Sequence, residues 1–218
     1  MATIKLIHSR ISENGTIDGE PGDQNRKEVC ITDWIPSDWT AAFRASDLRT
    51  ADRIAEAARA GAENDMIGYS QKTRYTLYNA AKAVGFKLKD ITKKCNCDCS
   101  SFVAVCVIAA GVKVSPDMWT GNLRDTLLGS GVFVEVPPDK KGLARGDIIL
   151  RSGHVAIVDI EGAAARPETV VQTNVYAAVM DKKVSGTYTP VTAVYMREGN
   201  SISYRAMCVV MPGAILYN

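Results

Sequence analysis

The stretch from Lys94 to Gly111 changes abruptly from polar to apolar, and this change limits the possible folds more than any other feature. Cysteines occupy the alternate positions 95, 97 and 99, and Asp98 lies between the last two. From Phe102 to Ala110 the stretch is apolar without interruption. Aspartate is a frequent helix N-cap, and glycine suits the left-handed position that follows a helix. Because a helix that is apolar almost all round must be buried, we predict a buried helix whose first turn carries Cys99.

A cysteine in the first turn of a helix is a candidate nucleophile. Unpaired N–H groups and the helix dipole favour the thiolate there, so Cys99 is expected to be reactive near neutral pH. Cys95 and Cys97 follow two lysines but precede the helix, and Cys106 lies within its apolar run. A zinc site built from Cys95, Cys97 and Cys99 would need a fourth ligand and wider spacing. We therefore expect six free thiols, no metal and no cofactor.

Composition and charge argue against nucleic-acid binding and against a membrane-spanning protein. The 218 residues are 46% hydrophobic, enough for a substantial core, and the formal charge is only +2, with 26 basic and 24 acidic side chains. Such a balance does not favour nucleic acid as a partner. The sequence predicts no signal peptide and no membrane span, hence a protein made in the cytoplasm. The oligomeric state stays open.

The order of the predicted elements indicates an α+β fold. A short N-terminal strand and a turn-rich loop precede most of the helices, and strands dominate after residue 131. We predict helices packed on a mainly antiparallel sheet. The chain is interpreted as one domain, with residues 1–65 as an N-terminal extension, 66–180 as the catalytic core and 181–218 as C-terminal strands.

A cysteine nucleophile needs a base, and the sequence offers only two histidines, His8 and His154. His154 opens a predicted strand directly after a tight turn, where its side chain can face a helix terminus. The alternative is that His154 is a structural histidine.

Four segments resemble motifs and strands of the NlpC-type papain-like cell-wall peptidases. Residues 98–103 (Asp-Cys-Ser-Ser-Phe-Val) are similar to the motif that opens the central helix of that family, with Ser101 in place of the usual glycine. Residues 146–149 and 153–158 resemble its Gly-Asp-aliphatic and Gly-His-Val-Gly-Ile strands, and residues 170–172 resemble its next strand. The resemblance implies a papain-like fold.

The same resemblance implies roles for individual residues. Cys99 would be the nucleophile, His154 the general base and then acid, and Gln172 the residue that orients the imidazole. Asn174 lies on the same face of that predicted strand and is the leading substitute for Gln172. Asp159 and His8 are the next candidates.

Segments near the N-terminus, 11–15, 22–24 and 27–29, look like a variant met in phage and prophage lysins. That likeness would place Asp23 or Gln24 in the substrate cleft, although an aspartate in such a turn can be purely structural. Asp98 and Ser100 flank the nucleophile, and in relatives these positions help to hold the stem peptide. A capping role for Asp98 is the alternative.

The expected function is hydrolysis of an amide bond in bacterial peptidoglycan, within the stem peptide, such as the bond that follows D-glutamate. An amidase that separates sugar from stem peptide would use the same cysteine–histidine mechanism. A non-catalytic wall-binding phage component and a papain-like acyltransferase are the rival interpretations.

Overall fold

The computed structural model describes residues 3–160 in full and, by their backbone alone, four short strands further along the chain. Residues 1–167 and 168–218 form two separate compact units. The first unit carries Cys99 and His154, and it is built around one large sheet.

Six strands form this sheet: β1 Ile4–Ser9, β2 Val29–Asp33, β3 Ala41–Ala45, β6 Phe133–Val136, β7 Ile148–Arg151 and β8 His154–Ile160. Their order is β2-β1-β8-β7-β3-β6, and every neighbouring pair is antiparallel. A separate parallel pair joins β4 (Ile67–Tyr69) to β5 (Cys95–Cys97). β8 therefore lies in the middle of the sheet, between β1 and β7.

The helices are α1 (Leu48–Ala62), α2 (Thr76–Ala83), α3 (Cys99–Ala109) and α4 (Leu123–Gly129), with one turn of 3-10 helix at Leu88–Asp90. α3 begins where the sequence predicts. Asp98 caps it by accepting the Ser101 N–H, and the Ser101 hydroxyl accepts the Asp98 N–H in return. Residues Cys99 to Val107 of α3 are all buried, which agrees with their apolar pattern.

The two faces of the sheet have different cores. The larger cluster includes α1 and α3 and, from the sheet, Ile7, Val155 and Ile157. On the opposite face Leu6 and Val158 belong to a smaller cluster, against which Trp34 and Trp39 pack. α1 and α3 approach closely because Gly61 has no side chain, since a Cβ there would lie 2.7 Å from the Phe102 ring.

The α+β class, the mainly antiparallel sheet and the N-terminal strand are confirmed, but the N-terminal part of the chain supplies more of the sheet than the sequence predicts. Strands β1 to β3 precede the helices in the chain and supply half of the large sheet. Local pattern does not predict β3, because Ala-Ala-Phe-Arg-Ala has weak strand propensity, and pairing with β6 and β7 overrides that propensity.

The second unit contains β9 (Thr187–Tyr188), β10 (Val194–Arg197), β11 (Ala206–Val210) and β12 (Leu216–Tyr217). β10 pairs with β11 and β9 with β12, both antiparallel. The predicted strand that carries Gln172 and Asn174 lies outside the described residues. Within the described part of the chain, no helix is long and apolar enough to cross a membrane.

Candidate active site

Cys99 is the first residue of α3 and lies where that helix meets β8. It is only 9% exposed. The backbone N–H groups of Val155 and Ser100 interact with the thiol. Because Val155 directly follows His154, these contacts hold the sulfur beside the first residues of β8.

Burial has the largest effect on the pKa of Cys99. It raises the pKa of the thiol, the nearby Asp98 carboxylate raises that pKa further, and the Val155 and Ser100 N–H groups lower it by less. The sequence predicts a ready thiolate from the position of Cys99 in the helix. The structure instead indicates a protonated thiol at neutral pH, which a base must activate.

Asp98 is occupied by contacts inside the protein. One oxygen accepts the Ser101 N–H at 2.7 Å and the Ser100 hydroxyl at 3.2 Å, and the other pairs with Arg74 at 3.0 Å. Arg74 also donates to the Met118 carbonyl. The capping role of Asp98 is thus observed, and the hydroxyl of Ser100 is directed at Asp98.

His154 is the first residue of β8, and its ring is paired with the second histidine of the chain. His154 Nε2 and His8 Nδ1 are 2.8 Å apart, and His8 Nε2 lies 3.2 Å from the Thr32 hydroxyl. Burial is the main reason why the pKa of His8 falls to about 3 and that of His154 to about 4. Both rings are therefore neutral at pH 7.

Two neutral imidazoles that share a hydrogen bond can adopt an arrangement suited to base catalysis. If His154 Nε2 donates to His8 Nδ1, then His8 Nε2 donates to Thr32, and His154 Nδ1 keeps its lone pair. That lone pair can accept a proton from a thiol. Across residues 3–160, however, no hydrogen bond links Cys99 to His154, which is common for catalytic pairs without substrate.

A pocket of about 280 Å³ opens beside the histidine pair. It is lined by two histidines, two arginines and apolar or hydroxyl side chains, namely His8, His154, Arg10, Arg151, Trp39, Ser37, Ile11 and Ile35. We call it the histidine pocket. The Trp39 ring centre lies 6.3 Å from that of His154, and the Arg151 guanidinium lies 5.9 Å from the centre of the Trp39 ring.

Asp23 and Gln24, predicted to line the cleft, are used to build their own loop. The two Asp23 oxygens accept N–H groups from residues 25, 27, 28 and 29. The Gln24 side-chain amide donates to the carbonyls of Pro21 and Gly22. These bonds favour a structural role for Asp23, and a cleft role for either residue stays a prediction.

Gln172 and Asn174 lie outside the described residues, so the predicted third residue is not placed. Asp159 is 1% exposed and pairs with Arg59 and Arg145, so its carboxylate is bound to these two arginines and not to His154. His8 is the polar side chain that does contact His154. The signal in the sequence is that His8 is the chain's only other histidine, but the pairing of β1 with β8 is not predictable from local pattern.

The other cysteines of the first unit are buried free thiols. Burial raises the pKa of Cys95 to about 12 and also raises those of Cys97 and Cys106. Among the residues that the structure describes, no group of three or more histidine, cysteine or acidic side chains is arranged to hold a metal ion. Cys99 is the cysteine whose surroundings include backbone donors at a helix start.

Comparison with known proteins gives one significant result. The profile of the endolysin-like domain matches residues 6–165, about three quarters of the chain, and this segment includes Cys99, His154 and His8. No curated protein and no solved structure matches the chain. The matched family indicates a cell-wall lytic function. The chain belongs to the endolysin-like domain family.

Proposed function

We propose that this protein is a cysteine-dependent peptidoglycan hydrolase that cleaves an amide bond in the stem peptide. The observation that carries the proposal is the position of Cys99, at the start of a buried helix and beside the strand that begins with His154. The family match supports a substrate in the bacterial cell wall.

In the proposed reaction, His154 Nδ1 takes the thiol proton as the Cys99 sulfur attacks the amide carbonyl carbon. Backbone N–H groups at the start of α3 stabilise the oxyanion. The C–N bond then breaks, the imidazolium gives its proton to the leaving amine, and an acyl thioester remains. Water, deprotonated by His154, hydrolyses the thioester and restores the thiol.

His8 is the positioning residue in this proposal. Its hydrogen bond to Nε2 selects the tautomer of His154 that leaves Nδ1 unprotonated, and Thr32 extends the chain of hydrogen bonds. His8 thus takes the role that the family resemblance gives to Gln172. Separate substitutions of His8 and Gln172 distinguish the two candidates.

The test is a digest of purified peptidoglycan, with the new termini identified by mass spectrometry. We expect new peptide amino and carboxyl ends and no new reducing sugars, because a thiol–imidazole pair performs acyl transfer, whereas glycoside cleavage requires positioned carboxylates. A digest with Cys99→Ala controls for contaminating hydrolases. New reducing ends would exclude this mechanism, and release of intact stem peptides from sugar would identify an amidase instead.

A further inference from the structure

The histidine pocket carries positive charge with no acidic side chain in its lining. Arg10 and Arg151 line it together with two neutral histidines, and its remaining lining is aromatic, aliphatic or hydroxyl. In the described part of the chain, neither arginine forms an ion pair with a carboxylate. Other arginines of this unit, such as Arg44, Arg59 and Arg145, do pair with acids.

The fold holds both arginines next to the histidine pair. Arg151 and His154 are direct cross-strand partners on either side of the two-residue turn Ser152-Gly153, in which Gly153 has a φ of +70°. Arg10 follows the last residue of β1, and its N–H donates to the Glu28 carbonyl at 2.8 Å. Both guanidinium charges oppose protonation of His8 and of His154, which shows that they act on the same small region.

We infer that the histidine pocket binds a free carboxylate of the substrate, held by Arg10 and Arg151 close to the bond that is cut. Arginine is suited to this role because its planar donors match the geometry of a carboxylate. The exposed side chains of Ile11 and Ile35 at the pocket, 43% and 36% exposed, can cover the aliphatic part of the same residue. This inference rests on the proposed function and names its substrate class, an acidic stem peptide.

Two residues of a stem peptide can supply such a carboxylate. One is D-glutamate, whose α-carboxylate is free when the chain continues through its side chain and is lost when the residue is amidated to D-isoglutamine. The other is diaminopimelate, which carries a carboxylate on its side chain where lysine has none. Four synthetic tripeptides with amidated C-termini, L-Ala-D-Glu or L-Ala-D-isoGln joined through the γ-carboxyl group to L-Lys or diaminopimelate, separate these sources, because the amide removes the terminal carboxylate that all four would otherwise share.

The experiment measures binding of the four peptides to the full chain carrying Cys99→Ala, by calorimetry at pH 7. We expect the peptide with the recognised carboxylate to bind at least about tenfold more tightly than its partner lacking that group, the size expected for a charge-assisted hydrogen bond. Arg10→Gln and Arg151→Gln added to this background should abolish the preference, and Arg151→Lys should restore part of it. Arg53→Gln, at an exposed position of α1, removes the same charge and should leave the preference unchanged.

The outcomes distinguish this inference from the proposed function. Equal binding of all four peptides, no binding of any, or a preference that survives both arginine substitutions would overturn the carboxylate site. A preference that depends on the arginines supports the site even if the protein with Cys99 intact cuts none of the peptides. In that case only the proposed hydrolysis would fail.

Discussion

The candidate site has a thiol side, around Cys99 at the start of α3, and an imidazole side, around His154 at the start of β8. The two sides differ in how their charged groups are paired. Beside Cys99 the Asp98 carboxylate is buried and bonded on both oxygens, by Arg74 on one and by Ser100 and Ser101 on the other. Around His154 the side chains line an open pocket, and Arg10 and Arg151 have no acidic partner among the described residues. The start of α3 therefore holds the reactive atom among buried groups, whereas strand ends and a turn provide the surface that can recognise a substrate.

The first prediction removes the thiol side. Cys99→Ala should lower the rate of peptidoglycan cleavage by a factor of about 10⁴ or more, because no other group can form the thioester. Circular dichroism and the thermal midpoint should change little. The matched control is Cys95→Ala, which removes a buried thiol from β5 and should retain activity. Full activity of Cys99→Ala, or loss of activity in the control alone, would contradict the assignment.

The second prediction removes the support of the imidazole. His8→Ala should lower kcat about 10- to 100-fold with little change in KM, since a positioning residue acts on transition-state geometry. Burial depresses the pKa of His154. Removal of the His8 ring should expose His154 to water, raise its pKa and so move the acid limb of the kcat profile to higher pH. His8→Gln, which can still accept a hydrogen bond, should recover part of the rate. If Gln172→Ala has these effects and His8→Ala has none, the third residue is Gln172.

The third prediction uses pH to probe the histidine pair. Both histidines titrate below the unfolded value of about 6.5, so the unfolded chain binds protons first as the pH falls. The free energy of unfolding should therefore decrease, by about 2 kcal/mol between pH 6.5 and 5 after allowance for the partial exposure of His154. Urea denaturation at several pH values measures this slope. His8→Asn should halve it, and an unchanged slope would mean that His8 is not buried in its neutral form.

The fourth prediction tests how Asp98 affects the thiol. Asp98→Asn keeps an N-cap acceptor but removes a negative charge that raises the pKa of Cys99, so alkylation of Cys99 at pH 8 should become about threefold faster. Arg74→Met leaves the carboxylate unpaired and should slow alkylation. Mass spectrometry of iodoacetamide-treated protein over time gives both rates. Equal rates in the two variants would show that this ion pair does not affect the thiol.

Local pattern in the sequence predicts the thiol side well and the imidazole side only in part. The cap, the apolar helix and the glycine after it are contiguous, so residues 94–111 contain the information that defines α3. The hairpin that presents His154 is local as well. The contact between His8 and His154 depends on strand pairing across 146 positions, and no periodicity within either strand encodes it. Local pattern does not predict the raised pKa of Cys99 either, because burial by distant segments opposes the local effect of the helix start.

The pairing of β1 with β8 also has a consequence for how the molecule folds. β1 is an interior strand of the sheet although it is the first strand of the chain, and its neighbour β8 ends at Ile160. Contacts so distant in sequence cost a large loop-closure entropy before they contribute stability, and they tend to form late and slowly. During synthesis, about 150 residues separate β1 from its second partner, β8, so the histidine pair can assemble only when nearly all of the first unit has left the ribosome.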